Sequence, residues 1–218
     1  GEEVNIHIIF SDEVSIGEIR DFLSKLDTNI TKDGAIVTCD KLNTTDDYQK
    51  ASVKYSDIRP SLKKVFGKKE CYLILAASNN QGLRADTKSP RKLNITDEID
   101  KICDGFFGGN QNIDYYLDSK RYEKRGDGTS DIAKQCPVFS GSDSHSFLDL
   151  ENKLGKTFQK LDDSGKICDS SQMTWIKADK TFKGLKQLLI EPNSRIFIGE
   201  KPDSFYRVEQ NPTKYLKS

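Results

Sequence analysis

The chain has 218 residues, of which 35% are hydrophobic, 9% aromatic and 31% charged, enough apolar material for one large domain and too much for a disordered chain. Lys+Arg and Asp+Glu are both 34, so the zero net charge disfavours a globally basic nucleic-acid binder and an acidic tail protein alike. No apolar run approaches the roughly 18 residues of a membrane-spanning helix, and no charged-then-apolar leader opens the chain.

In chain order, Val4, Ile6, Ile8, Ile9 and Phe10 predict a short strand, with Asn5, His7 and Ile9 on one side. Ser15 and Glu18 have capping-box spacing. Ile16, Ile19, Phe22, Leu23 and Leu26 form one apolar stripe on the helix that follows, which ends near Asp27. A short strand is expected over 35–39 and helices over 46–55 and 57–66, the second with Pro60 in an early turn and Gly67 just past its end. Cys71–Ala77 is an uncharged run without alternation, as in a strand buried on both faces of a parallel sheet. Residues 78–84 form a polar loop, 95–103 a helix, 105–107 a strand, 111–119 a helix, 120–130 a charged exposed loop and 137–139 a strand. A strand over 173–177 leads to a helix capped by Asp179 or Thr181, carrying Phe182, Leu185, Leu188 and Leu189 and stopped by Pro192. Residues 195–198 are the last strand.

This alternation argues for α/β architecture. Residues 1–198 read as one α/β domain and 199–218 as a polar extension or linker. The runs 71–77, 105–107 and 137–139 are each followed by a polar loop rich in Gly, Ser or Asn, and in parallel sheets such loops gather at the carboxyl ends of the strands, where sites are built.

The sharpest local feature is Gly141-Ser142-Asp143-Ser144-His145. On an extended chain Asp143 and His145 share one side, and carboxylate plus imidazole suits zinc, manganese or iron. The competing reading is a polar turn, with Asp143 as a helix N-cap and His145 in solvent. The one other histidine, His7, reads as a satisfied or exposed strand residue. Gly155-Lys156-Thr157 imitates the end of a phosphate-binding loop, but Leu150 stands where the motif needs its first glycine and no strand precedes it, which discards nucleotide hydrolysis. No GxSxG elbow exists. The five cysteines, Cys39, Cys71, Cys103, Cys136 and Cys168, include no CxxC pair; buried structural thiols in a reducing cytoplasm are expected, without a disulfide framework or thiolate zinc site. Basic clusters at Lys63, Lys64, Lys68 and Lys69, at Arg84, Lys88, Arg91 and Lys92, and at Lys120, Arg121, Lys124 and Arg125 read as solvated faces. Arg84, just past the buried strand, is the one suited to a phosphate.

Gly1 opens the chain and Met173 is its single methionine, from which an excised piece of a longer protein is expected. Several segments together resemble the C-terminal two-thirds of a PHP (polymerase and histidinol phosphatase) domain, of the type fused to TrlF-like AAA-like ATPases. They are Val4–Phe10, Asp104–Phe107, Gly141–His145, Thr174–Asp179, Phe182–Gln187 and Glu191-Pro192, covering most of residues 4–198. The resemblance implies a partial or distorted β/α barrel with divalent metal, zinc or manganese, at the strand ends, and hydrolysis of phosphoesters by metal-activated water. It implies that Asp143 and His145 match the last metal-ligand motif. The family's opening paired-His motif would lie before residue 1, and Asn79 falls about where many members carry a His after a buried strand. Asn79 and Arg84 are then the candidate substrate contacts. The partners implied are a phosphoester or nucleic acid and an attached ATPase domain, with no membrane. The alternative of a different class is a catalytically silent docking or nucleic-acid-sensing module that regulates the ATPase.

Overall fold

The computed structural model describes residues 4–67, 70–77, 98–108, 113–117, 135–141, 144, 146–153, 157–161, 165, 167–171, 173–199 and 202–210. The chain divides into two compact units, Ile8–Ile74 and Gly1–His7 with Leu75–Ser218. The boundary falls inside two strands, β1 (Asn5–Phe10) and β4 (Tyr72–Ala77).

In the first unit, α1 (Ile16–Leu23) starts where its sequence says it should. The Glu18 amide donates to the Ser15 hydroxyl at 3.2 Å, and the Ser15 amide donates to the Glu18 carboxylate at 3.0 Å. Two otherwise orphaned donors are thereby satisfied. Phe22 and Leu26 of the apolar stripe are buried, whereas Ile16 at the first helical position is 72% exposed. The stripe reaches the core only from its second turn. The chain then forms a hairpin, β2 (Asp27–Lys32) and β3 (Ala35–Thr38). It turns through Asp33 and Gly34, both at positive φ, 50° and 78°, the geometry that an Asp-Gly hairpin turn favours.

Two helices follow, α2 (Thr45–Lys50) and α3 (Tyr55–Phe66). The expected break at 55–57 falls earlier, so Pro60 sits in the second turn of α3, where it removes one intrahelical hydrogen bond. Ile58, Leu62 and Phe66 face inward. Phe10 packs on Phe22 and Phe66, and Phe66 on Tyr72. Burying each such side chain is worth about 1.5–3 kcal/mol. Asp47 ties α2 to the hairpin. Its carboxylate accepts from the Lys32 ammonium at 2.7 Å and from the amides of Asn43 and Thr44.

Four strands form one sheet in the order β1-β4-β5-β6, with β5 at Gly105–Phe107 and β6 at Val138–Phe139. β4 pairs with β5, and β5 with β6, in parallel. At β1 the Ser11 amide donates to the Cys71 carbonyl at 2.8 Å, which joins the carboxyl end of β1 to the amino end of β4, as in an antiparallel edge strand. Leu73, Ile74, Leu75 and Ala76 are all buried, as expected of a strand covered on both faces. The chain is therefore mixed α/β with a mostly parallel sheet. Among the described residues the remaining strands form two-stranded ribbons, and no closed barrel is seen.

In the second unit, residues 98–100 are helical, and Ile113–Leu117 make one wide helical turn. Phe106 stacks on Tyr116 with ring centroids 3.7 Å apart, and the Tyr116 hydroxyl donates to Asp100. After β6 come α4 (Phe147–Lys153), a helix expected only in the reading of Asp143 as an N-cap, then the antiparallel ribbon β7 (Thr157–Leu161) and β8 (Ile167–Ser171), which was not foreseen in the sequence. Thr157 opens a strand, whereas the threonine of a phosphate-binding loop opens a helix.

β9 (Thr174–Ile176) is followed by α5 (Phe182–Gln187), which is capped by Thr181, its hydroxyl accepting from the Gly184 amide. Pro192 does not only stop the chain before it; it is the first residue of α6 (Pro192–Arg195). This position suits proline because its missing N–H has no intrahelical acceptor to lose. β10 (Ile196–Ile198) pairs antiparallel with β9. The expected extension contains α7 (Asp203–Gln210), whose Phe205 ring lies 5.1 Å from that of Trp175. No helix among the described residues is long and apolar enough to cross a membrane.

Candidate functional site

The parallel pairing of β4, β5 and β6 brings their carboxyl ends to one edge of the sheet. Ala76 is opposite Phe106, Phe106 opposite Val138, and Phe107 opposite Phe139. Close strand contact at this point depends on Gly105. A β-carbon there would sit 2.9 Å from both Leu75 Cδ2 and the Pro137 carbonyl oxygen. The Phe106 amide donates to that same carbonyl at 2.9 Å, and the Gly108 amide donates to Phe139 at 3.0 Å.

Side chains alternate across the strand, so Phe106 goes to the buried face with Tyr116 while Phe107 goes to the other. There Phe107 meets Phe139, with ring centroids 6.0 Å apart, and takes His7 edge-on at 5.1 Å. His7 is exposed, which agrees with its reading as a strand histidine. Its place beside the last residue of β5 was not foreseen. Nothing local in the sequence marks it, since it follows from which strands are neighbours.

From β6 the chain continues through Ser140 and Gly141. Both backbone groups of Ser140 are held by one side chain. Its amide donates to the Thr174 hydroxyl at 2.8 Å, and that hydroxyl donates to the Ser140 carbonyl at 2.7 Å. Farther on, Ser146 caps α4. Its hydroxyl accepts from the Asp149 amide at 3.1 Å, and its carbonyl accepts from Leu150. The cap role considered for Asp143 therefore belongs to Ser146.

Asp143, His145, Asn79 and Arg84 all lie outside the described residues, as do Lys68, Lys69 and the two later basic clusters. Lys63 and Lys64 are exposed in the last turn of α3, a solvated face that also complements the helix dipole. Among the described residues no group of three or more His, Cys, Asp or Glu side chains is placed to hold a metal ion. None of Cys39, Cys71, Cys103 and Cys136 is in a disulfide, and of the four only Cys103 is buried, the others being half-buried. Burial, followed by the charges of Asp40 and Asp27, pushes the Cys39 thiol up, which makes it a poor nucleophile at neutral pH.

No known protein family, no curated protein sequence and no solved structure matches the chain.

Proposed function

We propose that the chain is part of a PHP-type, metal-dependent phosphoesterase domain with a partial or distorted β/α barrel. In this reading it works in the cytoplasm beside an attached ATPase domain, on a phosphoester or nucleic acid. Asp143 and His145 hold zinc or manganese, a donor pair that suits either ion. Asn79 and Arg84 hold the substrate, the guanidinium taking a phosphate oxygen pair. When bound, the ion supplies Lewis-acid activation of water for attack on phosphorus.

The observation that carries this reading is the shared carboxyl edge of β4, β5 and β6. Asn79 is two residues past Ala77 and Asp143 four past Phe139, and an extended chain advances at most about 3.3–3.6 Å per residue. Residues so few steps along the chain from one sheet edge can reach a common point. Ser146, not Asp143, caps α4.

The test is hydrolysis of p-nitrophenyl phosphate with added Mn2+ or Zn2+. Residues 1–218 alone turn over poorly or not at all, because one carboxylate–imidazole pair holds its ion weakly. A longer chain that adds an N-terminal segment with its own histidines gains metal and activity. In it, His145→Ala lowers both. Robust, chelator-sensitive hydrolysis by residues 1–218 alone would show that ligands have been missed, and unchanged metal content in the His145→Ala chain would overturn the reading.

The second reading, a silent docking module for the ATPase domain, is favoured by α4. That helix buries no residue, and Phe147 is 92% exposed. In that case Phe147→Asp weakens association with the ATPase domain and leaves metal content unchanged.

A further inference from the structure

One face of the β9–β10 ribbon carries aromatic and cationic side chains together. Trp175 lies directly opposite Phe197, and Ile176 opposite Ile196. Residues directly opposite in an antiparallel pair share a face, and neighbours along a strand point to opposite faces. Trp175 and Phe197 are therefore on one face, Ile176 and Ile196 on the other. Lys177, two residues past Trp175, returns to the aromatic face. Its amide donates to the Arg195 carbonyl at 2.8 Å, which carries the ladder one rung further.

The rings have fixed seats. The Trp175 indole donates to the Gly199 carbonyl at 3.2 Å, and Phe205 packs on Trp175. A β-carbon on Gly199 would lie 3.0 Å from the Phe197 ring, so that ring rests over glycine backbone. Phe197 is nevertheless 41% exposed. The charge beside it is one-sided. Residues 173–199 contain five basic residues and two acids, in a chain whose net charge is zero. Lys177, Lys180 and Lys183 are exposed, and none forms an ion pair with a described residue. The close approach of Gly184 to the Asp179 backbone sets Lys183 against the chain just past Lys177. The fifth cation is already engaged: the Arg195 guanidinium donates to the Lys177 carbonyl at 3.3 Å and lies 3.9 Å from the Glu191 carboxylate. The other acid, Asp179, is exposed.

We propose that this face binds single-stranded nucleic acid, with a base stacking on Phe197 and phosphates meeting Lys177, Lys180 and Lys183. Aromatic rings accept bases of any sequence because every base has a π-face, and lysines neutralise the backbone. An acidic peptide would satisfy the lysines and leave Phe197 unused, and a duplex keeps its bases stacked within itself. A seated, exposed ring next to unpaired lysines fits an unpaired strand. None of these residues is a candidate metal ligand, so this face stands or falls apart from the metal reading.

The test is fluorescence anisotropy of a labelled oligothymidylate with residues 1–218, in low salt with EDTA so that no metal site contributes. Saturable binding is expected. Phe197→Ala should weaken it about tenfold, and Phe197→Tyr, which keeps the ring, should stay within about twofold of the parent. Ile176→Ala is the control, a residue 43% exposed on the opposite face, and should change nothing. Lys177→Gln should make the slope of log affinity against log salt shallower by about 0.7, the share of one phosphate contact on a single strand. Thermal melting shows whether each variant is folded, and should Phe197→Ala lose its fold, Phe197→Leu carries the same comparison. No binding by the parent, equal losses in Phe197→Ala and Ile176→Ala, or an unchanged salt slope in Lys177→Gln overturns the proposal. Equal affinity for a duplex of the same length overturns it too. Competition by polyglutamate as effective as by unlabelled oligothymidylate would overturn it in favour of an acidic protein partner.

Discussion

Gly184 lies in the first turn of α5, and helix propensity alone makes its replacement by alanine stabilising. Glycine in a helix interior costs about 1 kcal/mol relative to alanine. The geometry reverses that sign. A β-carbon on Gly184 would lie 2.1 Å from the Asp179 carbonyl oxygen, 2.8 Å from its carbon and 2.9 Å from its nitrogen. All three are backbone atoms, so no side chain can swing aside. The Asp179 carbonyl also accepts from the Thr181 amide at 2.8 Å, and the Gly184 amide is capped by the Thr181 hydroxyl at 3.0 Å. Relieving the clash means moving a turn closed by two hydrogen bonds. Overpacking costs about 1–3 kcal/mol and each weakened hydrogen bond about 0.5–1.5 kcal/mol, which together outweigh the propensity gain. Gly184→Ala should therefore destabilise by roughly 1–3 kcal/mol net. Gly17 in α1 is the control, because a β-carbon there meets nothing closer than the Ser15 hydroxyl at 3.8 Å. Gly17→Ala should stabilise by roughly 0.5–1 kcal/mol. Urea unfolding of both variants beside the parent reads the difference. If Gly184→Ala gains stability as Gly17→Ala does, the close approach of α5 to Asp179 is wrong.

Leu73, 3% exposed in the middle of β4, should not tolerate a carboxylate. Leu73→Asp is expected to cost roughly 3 kcal/mol or more, and melting within roughly two degrees of the parent would contradict its burial. Asp47 gives an acid-dependent signature. The Lys32 ammonium, followed by the Asn43 amide and the hydroxyl and amide of Thr44, lowers its pKa to about 2. A depressed carboxyl contributes stability above its unfolded value of about 3.9, which is lost as the pH falls through the folded value. Asp47→Asn should therefore flatten the acid limb of a stability profile between those two values, and an unchanged limb would refute the Lys32–Asp47 link. Thr181→Ala removes the α5 cap and should cost about 1 kcal/mol in thermal unfolding; no change would show that the cap contributes nothing.

Signals confined to a few residues were legible in the sequence. The Ser15–Glu18 box and the uncharged run of β4 both appear where they were expected, because capping geometry and two-sided burial leave direct marks on residue type. The strand expected over 35–39 is found as β3, but its partner β2 was missed although Asp33-Gly34 marks the turn, because all of β2 except Ile30 is polar and hides any alternation. Asp162-Asp163-Ser164-Gly165 between β7 and β8 is the corresponding unused signal. The extent of α4 was not legible for a different reason: Phe147, Leu148 and Leu150 all face outward, so no buried stripe sets its period. Pro192 was read as a stop because a fixed φ both ends one helix and begins another. The candidate ligands could be named from residue type alone. Which strand ends are neighbours could not, since the pairing of β4, β5 and β6 is a tertiary choice. The Thr174–Ser140 clamp spans 34 residues and leaves no local trace.

The most direct measurement of the central claim is anomalous diffraction at the zinc edge, from crystals of the chain grown with Zn2+. The account predicts a peak about 2.0–2.2 Å from a His145 nitrogen and an Asp143 oxygen, at the sheet edge where Ala77, Phe107 and Phe139 end. A peak elsewhere, or His145 and Asp143 directed away from that edge with no ion between them, would contradict it.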